Sequence, residues 1–321
     1  MFFVLRVFLP FAIGYFLSHL FRSVNAVVSS DLLADFGIDA WTVGFLTSAY
    51  FLSFACAQLP LGVALDRWGP RRTESALLLF AGAGAFVFGI AETTAGLIVG
   101  RALIGLGVSA CLMASFHVFA LWAPPARLPF WNGAVMTAGA LGSLAATTPV
   151  AWSVERAGWR QVFLVLGALG IAGACILHFV APEKRLEMQG VRLSKIAQGL
   201  GNVFRSRAFW SVTPLSVSQQ GAYLAIQSLW AGPWLHDVAG QGRDDVAATL
   251  FLLAVGMGIG YLGLGHLAAR TGPLGVWVVF AILFQVVQCF LTFQWSTQTG
   301  LLWFLFGLFG ASGMLSYVIV T

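Results

Sequence analysis

The sequence predicts an all-α integral membrane protein, and three observations carry that reading. Charge is scarce, apolar segments of helix length recur along the whole chain, and basic residues gather in alternate connections. Only 9% of the 321 residues are charged while 59% are hydrophobic, and the mean hydropathy is +0.87. A soluble domain carries about 25% charged residues, so this chain cannot coat its surface with charge and much of it must face lipid. The 37 glycines and 12 tryptophans agree with this, because membrane helices accommodate Gly and place Trp at the interface.

A spanning helix needs about 20 mostly apolar residues. Ten segments meet that need: 7–28, 41–65, 74–91, 96–121, 130–152, 159–180, 209–235, 246–268, 274–294 and 299–320. Alternating ten-residue segments, the mark of a membrane barrel, do not occur. The first segment is too long for a cleaved signal peptide and carries polar residues along one stripe, so it reads as the first span. The stretch 181–208 is the single long polar connection, with Lys184, Arg185, Arg192 and Lys195. It divides six spans (1–180) from four (209–321).

With the N-terminus placed in the cytoplasm, twelve of the 17 basic residues fall inside and three outside (Arg156, Arg160, Arg243). Arg22 and Arg101 lie within spans. This split is a strong positive-inside signal and predicts a multi-pass protein of a bacterial-type inner membrane. The net charge of +5 therefore has a topogenic role, and a nucleic-acid partner is excluded. Cys56, Cys111, Cys175 and Cys289 sit in apolar runs with no CxxC spacing and read as small buried hydrophobes. The five histidines lack ligand spacing, so neither metal nor cofactor is expected.

The chain repeats itself. LGVALDRWGPRR begins at Leu61 and LGHLAARTGPLG at Leu264; Gly62, Arg67, Gly69 and Pro70 align with Gly265, Arg270, Gly272 and Pro273. Pro10 and Pro214 stand at nearly the same offset. Spans seven to ten therefore repeat spans one to four, an arrangement known among parallel-repeat transporters.

The turn GxxxDRxGxRR, from Gly62 through Asp66, Arg67, Gly69 and Arg71, resembles the signature loop of the major facilitator superfamily. Gly100-Arg101 with Gly105 and Gly107, Gly158-Trp159-Arg160 and Pro182-Glu183 are also similar to stretches of that family. The resemblance spans the chain. It implies a helical bundle of two pseudo-symmetric halves around a central site, working by alternating access. It implies gating roles for Gly62, Asp66, Arg67, Gly69, Arg71 and Arg101. The family has twelve spans, so the last two are expected to be missing here, and with them the helix that Asp66 would brace. Ala269 stands where the second loop would carry an acid.

Charges inside spans are functional candidates by default. In the first span Tyr15, His19, Arg22 and Asn25, with Ser18 beside them, share one helical face at spacings of three and four. Arg22 either binds a substrate carboxylate or phosphate bidentately or snorkels to the outer interface. His19 either takes substrate or a proton or is a satisfied buried histidine. The seventh span has a matching face, Ser216, Gln219, Gln220, Tyr223 and Gln227, which either lines the same cavity or joins helices. No Asp or Glu is placed mid-span, so proton coupling would rest on His19, on His117 or on the charge of the substrate. Span five lacks a Gly-Pro step, which by the resemblance disfavours drug export, and span two lacks arginine, which disfavours nitrate.

The expected function is secondary transport of a small solute, an organic anion, by a monomer in the lipid bilayer. The alternative is a transporter-like scaffold or assembly protein. An enzyme is disfavoured because no nucleophile–base pair or phosphate loop is present.

Overall fold

The computed structural model describes residues 1–183, 204–271, 273–294 and 298–314. The basic linker residues Lys184, Arg185, Arg192 and Lys195, Gly272 of the second turn motif, and the end of the tenth span lie outside the described residues. The described residues are helical almost throughout, with no strand among them.

A π-helical turn, Phe3–Phe8, leads into α1 (Leu9–Phe36), with Pro10 in the first turn, where its missing N–H costs nothing. Gly37 ends α1 in the left-handed conformation at φ 59°, the usual glycine stop. Asp39 caps the next helix, α2 (Ala40–Gly89), accepting from Thr42 N at 2.9 Å and Thr42 Oγ1 at 2.6 Å.

At 50 residues α2 would be about 75 Å long if straight, more than twice a hydrocarbon core. It is not straight. Gly69 has φ 81° and ψ 161°, a conformation closed to L side chains. Past it, Thr73 Oγ1 donates to Ala64 O at 3.1 Å across nine residues, a contact no continuous helix permits. The chain therefore reverses at Gly69-Pro70, and α2 is two limbs that cross separately. Gly158 has the same geometry, φ 80° and ψ 156°, and divides α6 (Thr148–Val180). Between them lie α3 (Thr94–Val108), α4 (Cys111–Trp122) and α5 (Leu128–Ala145). Breaks at 109–110 and 146–147 show the expected fourth and fifth spans as interrupted helices.

Then follow α7 (Arg207–Ala225), π-helical turns Ile226–Trp230 and Trp234–Val238 around Ala231–Pro233, α8 (Arg243–Thr271), α9 (Pro273–Phe293) and α10 (Thr299–Gly310). Six helical stretches among the described residues are long and apolar enough to cross a membrane. Two of these are the doubled helices just described.

The contacts divide into two units, Met1–Arg185 with Gln227–Phe251, and Leu186–Ile226 with Leu252–Thr321. In the first, α1 packs on α5 and α6, and α2 packs on α3 and α6. Phe88, Trp159 and Phe163 form an aromatic knot, with ring centroids 4.2 Å apart for Phe88 and Phe163. In the second, Gly256 lies on the Phe304 carbonyl and Gly307 on that of Leu253, so α8 and α10 approach backbone to backbone, as small residues allow in membrane bundles.

The outward faces are apolar. Leu52 and Leu59 are each 67% exposed and Phe179 is 80% exposed. The same inversion corrects the reading of the cysteines. Cys56, Cys175 and Cys289 are exposed and only Cys111 is buried, because lipid gives an apolar side chain no reason to turn inward.

Replacing Gly69 with Ala is expected to lower stability by about 1–3 kcal/mol through backbone strain, read as a reduced unfolding midpoint in detergent. An unchanged midpoint would show that the reversal does not depend on that conformation.

Candidate functional site

Helix α1 is buried for most of its length, and its polar stripe faces protein. Around it the first unit assembles a hydrogen-bonded cluster. His19 Nδ1 lies 3.1 Å from Ser143 Oγ on α5. Ser23 Oγ donates to the same hydroxyl at 3.2 Å. Gln227 Nε2, from the π-helical turn Ile226–Trp230, reaches Ser143 Oγ at 3.4 Å and Ser23 Oγ at 3.5 Å. Three segments distant in sequence thus meet on one serine hydroxyl. The approach needs glycine: Gly142 lies on the Phe16 carbonyl and Gly139 on the rings of Tyr15 and His19, leaving no room for a Cβ at either place.

Tyr15 stands edge-on to His19 with centroids 4.7 Å apart. His19 is 2% exposed, and its Nε2 has no hydrogen-bond partner among the described residues. Arg22, one turn further, is half-buried with its guanidinium carbon 5.9 Å from the Phe54 ring. Asn25 donates to Thr47 Oγ1 at 2.8 Å, which ties α1 to the first limb of α2. Its Oδ1 is buried without a hydrogen-bond partner among the described residues.

The other three expected contact residues lie in the second unit. Gln219 Nε2 donates to Ser312 Oγ at 2.8 Å. Gln220 lies against Gly313. Tyr223 stacks on Phe306 at 5.6 Å, with Phe284 edge-on at 6.1 Å. The two polar stripes are therefore each organised within their own unit, apart from Gln227, which joins the α1 cluster.

The residues expected to gate occupy the turn between the limbs of α2 and the body of α3. Arg71 Nη2 pairs with Glu183 Oε2 at 2.8 Å, and its Nη1 donates to Ala181 O at 3.3 Å. Arg72 Nε reaches Glu183 Oε1 at 2.9 Å. The turn is thus clamped to the end of α6 by one carboxylate held between two guanidinium groups. Arg67 lies over Trp68 at 5.9 Å, Gly62 borders open space, and Asp66 is exposed with no ion pair to a described residue. Arg101 is wholly buried on α3. Its Nη1 donates to Phe21 O at 3.2 Å, and its Cζ lies 5.0 Å from the Tyr50 ring.

At the other end of the first unit Asp35 receives Trp159 Nε1 at 2.8 Å and Arg160 Nη1 at 3.1 Å, and Asp31 pairs with Arg243 at 3.1 Å.

Two features escape sequence reasoning. Ser143 carries no local signal beyond following the close-approach glycines. Glu74, placed by the sequence at the edge of the third span, is completely buried. Its carboxyl lies against Gly14 of α1, eleven residues and about 16 Å along the helix from Phe3. The sequence places no Asp or Glu in the middle of a span and leaves Glu74 at the edge of the third, and it is this edge carboxyl that the structure buries. The reversal at Gly69-Pro70 turns the second limb inward before residue 74.

The sequence pattern of the Major Facilitator Superfamily matches residues 11–321. The chain is similar to a probable sulfoacetate transporter of Cupriavidus necator, 26% identical over 81% of this chain and 64% of that protein. It is also similar to a probable galactarate/D-glucarate transporter of Bacillus subtilis, 29% identical over 62% of this chain and 45% of that one. An efflux pump of Aspergillus niger is 29% identical over 68% of this chain and 39% of its own length. The chain thus spans less than two thirds of the curated relatives it matches. Among solved structures it is similar to the xylose transporter XylE from E. coli, with a TM-score of 0.75 at 14% identity, covering 98% of this chain and 83% of that one. A bacterial homolog of the human lysosomal transporter Spinster gives a TM-score of 0.74 at 19% identity, covering 98% and 74%. At those identities the likeness is one of fold.

Replacing Ser143 with Ala takes the hydroxyl partner from the buried His19 Nδ1 and removes the contacts of Ser23 and Gln227 to it, and a buried polar group left so costs about 1–3 kcal/mol. The expected outcome is a lower unfolding midpoint with unchanged helical circular dichroism. An unchanged midpoint would show that the cluster does not hold α1 to α5.

Proposed function

This chain belongs to the Major Facilitator Superfamily, and from that premise we propose that it is a secondary transporter carrying a small organic anion across the membrane by alternating access. The observation that carries the anion reading is the charge on the α1 stripe. Arg22 lies half-buried one turn from the unpartnered Nε2 of His19, beside Ser23 and Asn25. No acidic residue occurs on α1 from Leu9 to Ser30. A half-buried guanidinium is complementary to a carboxylate or sulfonate.

Two of the three relatives are named for anions, and the third is an efflux pump. Sulfoacetate carries a sulfonate and a carboxylate, and galactarate and D-glucarate carry two carboxylates each. In this reading Arg22 takes the anionic group. His19, Ser23, Ser143 and Gln227 supply directional hydrogen bonds around it, and Tyr15 gives an aromatic wall. Gln219, Gln220 and Tyr223, on the polar face of α7 in residues 209–321, are proposed as further substrate contacts. The Arg71–Glu183–Arg72 clamp holds the turn between spans, and breaking it accompanies the change of access. The basic residues set the N-terminus in the cytoplasm of a bacterial-type inner membrane, and the working unit is a monomer.

In proteoliposomes carrying the full chain, uptake of labelled sulfoacetate and D-glucarate is expected to saturate. Arg22→Ala should lower kcat/KM at least tenfold, about 1.4 kcal/mol, while Arg22→Lys retains part of the activity. Uptake indifferent to Arg22→Ala, in a protein that still inserts and folds, would overturn this assignment. It would favour a scaffold role in which surface substitutions matter instead.

A further inference from the structure

Glu74 stands outside everything proposed so far. It is 0% exposed, and neither carboxyl oxygen has a hydrogen-bond partner among the described residues. Its surroundings are the backbone of Gly14 on α1, where a Cβ would collide with Oε1, the Leu78 side chain that also borders Gly14, and the thiol of Cys111 on α4. The Cys111 thiol faces the carboxyl and interacts with it, but a thiol is only a weak donor.

Most charged and titratable groups of the surrounding helices have other partners, while Arg22 of α1 acts on the Cys111 thiol that faces Glu74. On its own limb, Arg71 and Arg72 turn to Glu183. From α6, His178 Nδ1 lies 3.3 Å from the hydroxyl of the neighbouring Ser75. From α3, Arg101 reaches Phe21 O. On α1, His19 contacts Ser143 and Arg22 lies over Phe54. Glu74 makes no ion pair with a described residue.

Ionised carboxyl groups are not buried in apolar packing without a counter-charge or hydrogen bonds, because nothing replaces their hydration. The neutral acid has no such requirement. The packing around Glu74 is thus compatible with –COOH and incompatible with –COO⁻. Ionisable groups inside membrane helices are functional-site hypotheses by default, and proton relays are among their recurring roles.

We propose that Glu74 is the proton-binding site of this carrier. The carboxylate takes one proton when α1, the second limb of α2 and α4 close around it, and releases it when they part and water enters. The step is –COO⁻ + H⁺ → –COOH, with no other bond formed or broken. A ligand shifts a conformational equilibrium only by its differential affinity for the two states. Here that difference is supplied by burial: the closed packing at Gly14 holds the proton, and an opened one does not. The site rests on the transport reading for its purpose, and it replaces His19 and His117 as the seat of coupling.

The test is infrared spectroscopy of the full chain, which reads the proton directly with no anion present, together with transport in proteoliposomes. Wild type is expected to show a protonated-carboxyl C=O band at neutral pH that Glu74→Gln lacks. Glu74→Gln, isosteric with the acid, should keep anion exchange within about twofold, since exchange moves no net proton, yet lose accumulation driven by a pH gradient. Gly14→Ala leaves Glu74 in place, displaces its carboxyl, and should shift the titration of the same band. This keeps the test valid if Glu74→Gln fails to fold.

A band identical in wild type and Glu74→Gln, or gradient-driven accumulation undiminished in Glu74→Gln, would overturn the proposal. A titration unmoved by Gly14→Ala would do the same. If neither protein moves sulfoacetate or D-glucarate while the band is still lost in Glu74→Gln, the transport reading falls and the proton site stands.

Discussion

Polar groups on α1 depend on protein for their partners, because most of the helix is buried where water cannot satisfy them. The meeting of His19, Ser23 and Gln227 on the hydroxyl of Ser143 answers that constraint. One short side chain on α5 joins two other segments, α1 and the turn at Gln227, which requires the backbones to come very close. Gly139 and Gly142 make that approach possible, and their positions on α5 fix where α1 lies. The geometry of the site is therefore set by the absence of side chains as much as by their presence.

The same constraint has a harsher form for charge. Glu183 is shared between Arg71 and Arg72 near the end of α6. Asp31 and Asp35 meet Arg243 and Arg160 at the other end of the first unit. Between these ends, Arg101 is held by a carbonyl and an aromatic face rather than an acid, and Glu74 makes no ion pair with a described residue. The paired charges can lock the two ends. The unpaired ones are where a bound ion or proton changes the energy most. A transporter needs both, since it must hold one arrangement firmly and still have a reason to leave it.

Much of this was legible in the sequence, and the reasons are local. The stripe at 15, 19, 22 and 25 follows from helical periodicity alone. The reversal at Gly69-Pro70 is announced by a residue pair that cannot continue a helix. The family pattern was readable because its turn residues are constrained by backbone geometry. What escaped depends on proximity between distant segments. Ser143 looks like any serine in a Gly-rich span until α1 is laid against it. Glu74 looks like an interfacial acid until the second limb turns it onto Gly14. The outward-facing cysteines were misplaced for another reason. Hydrophobicity reports burial in water-soluble proteins, and it loses that meaning where the surroundings are lipid.

The most direct measurement of the central claim, that the cluster on α1 is where an anion binds, is hydrogen–deuterium exchange of the full chain with and without sulfoacetate or D-glucarate. The expected result is protection concentrated in peptides covering residues 15–25, 139–143 and 226–230, and absent in Arg22→Ala. Protection confined to other helices, or none at saturating anion, would contradict it.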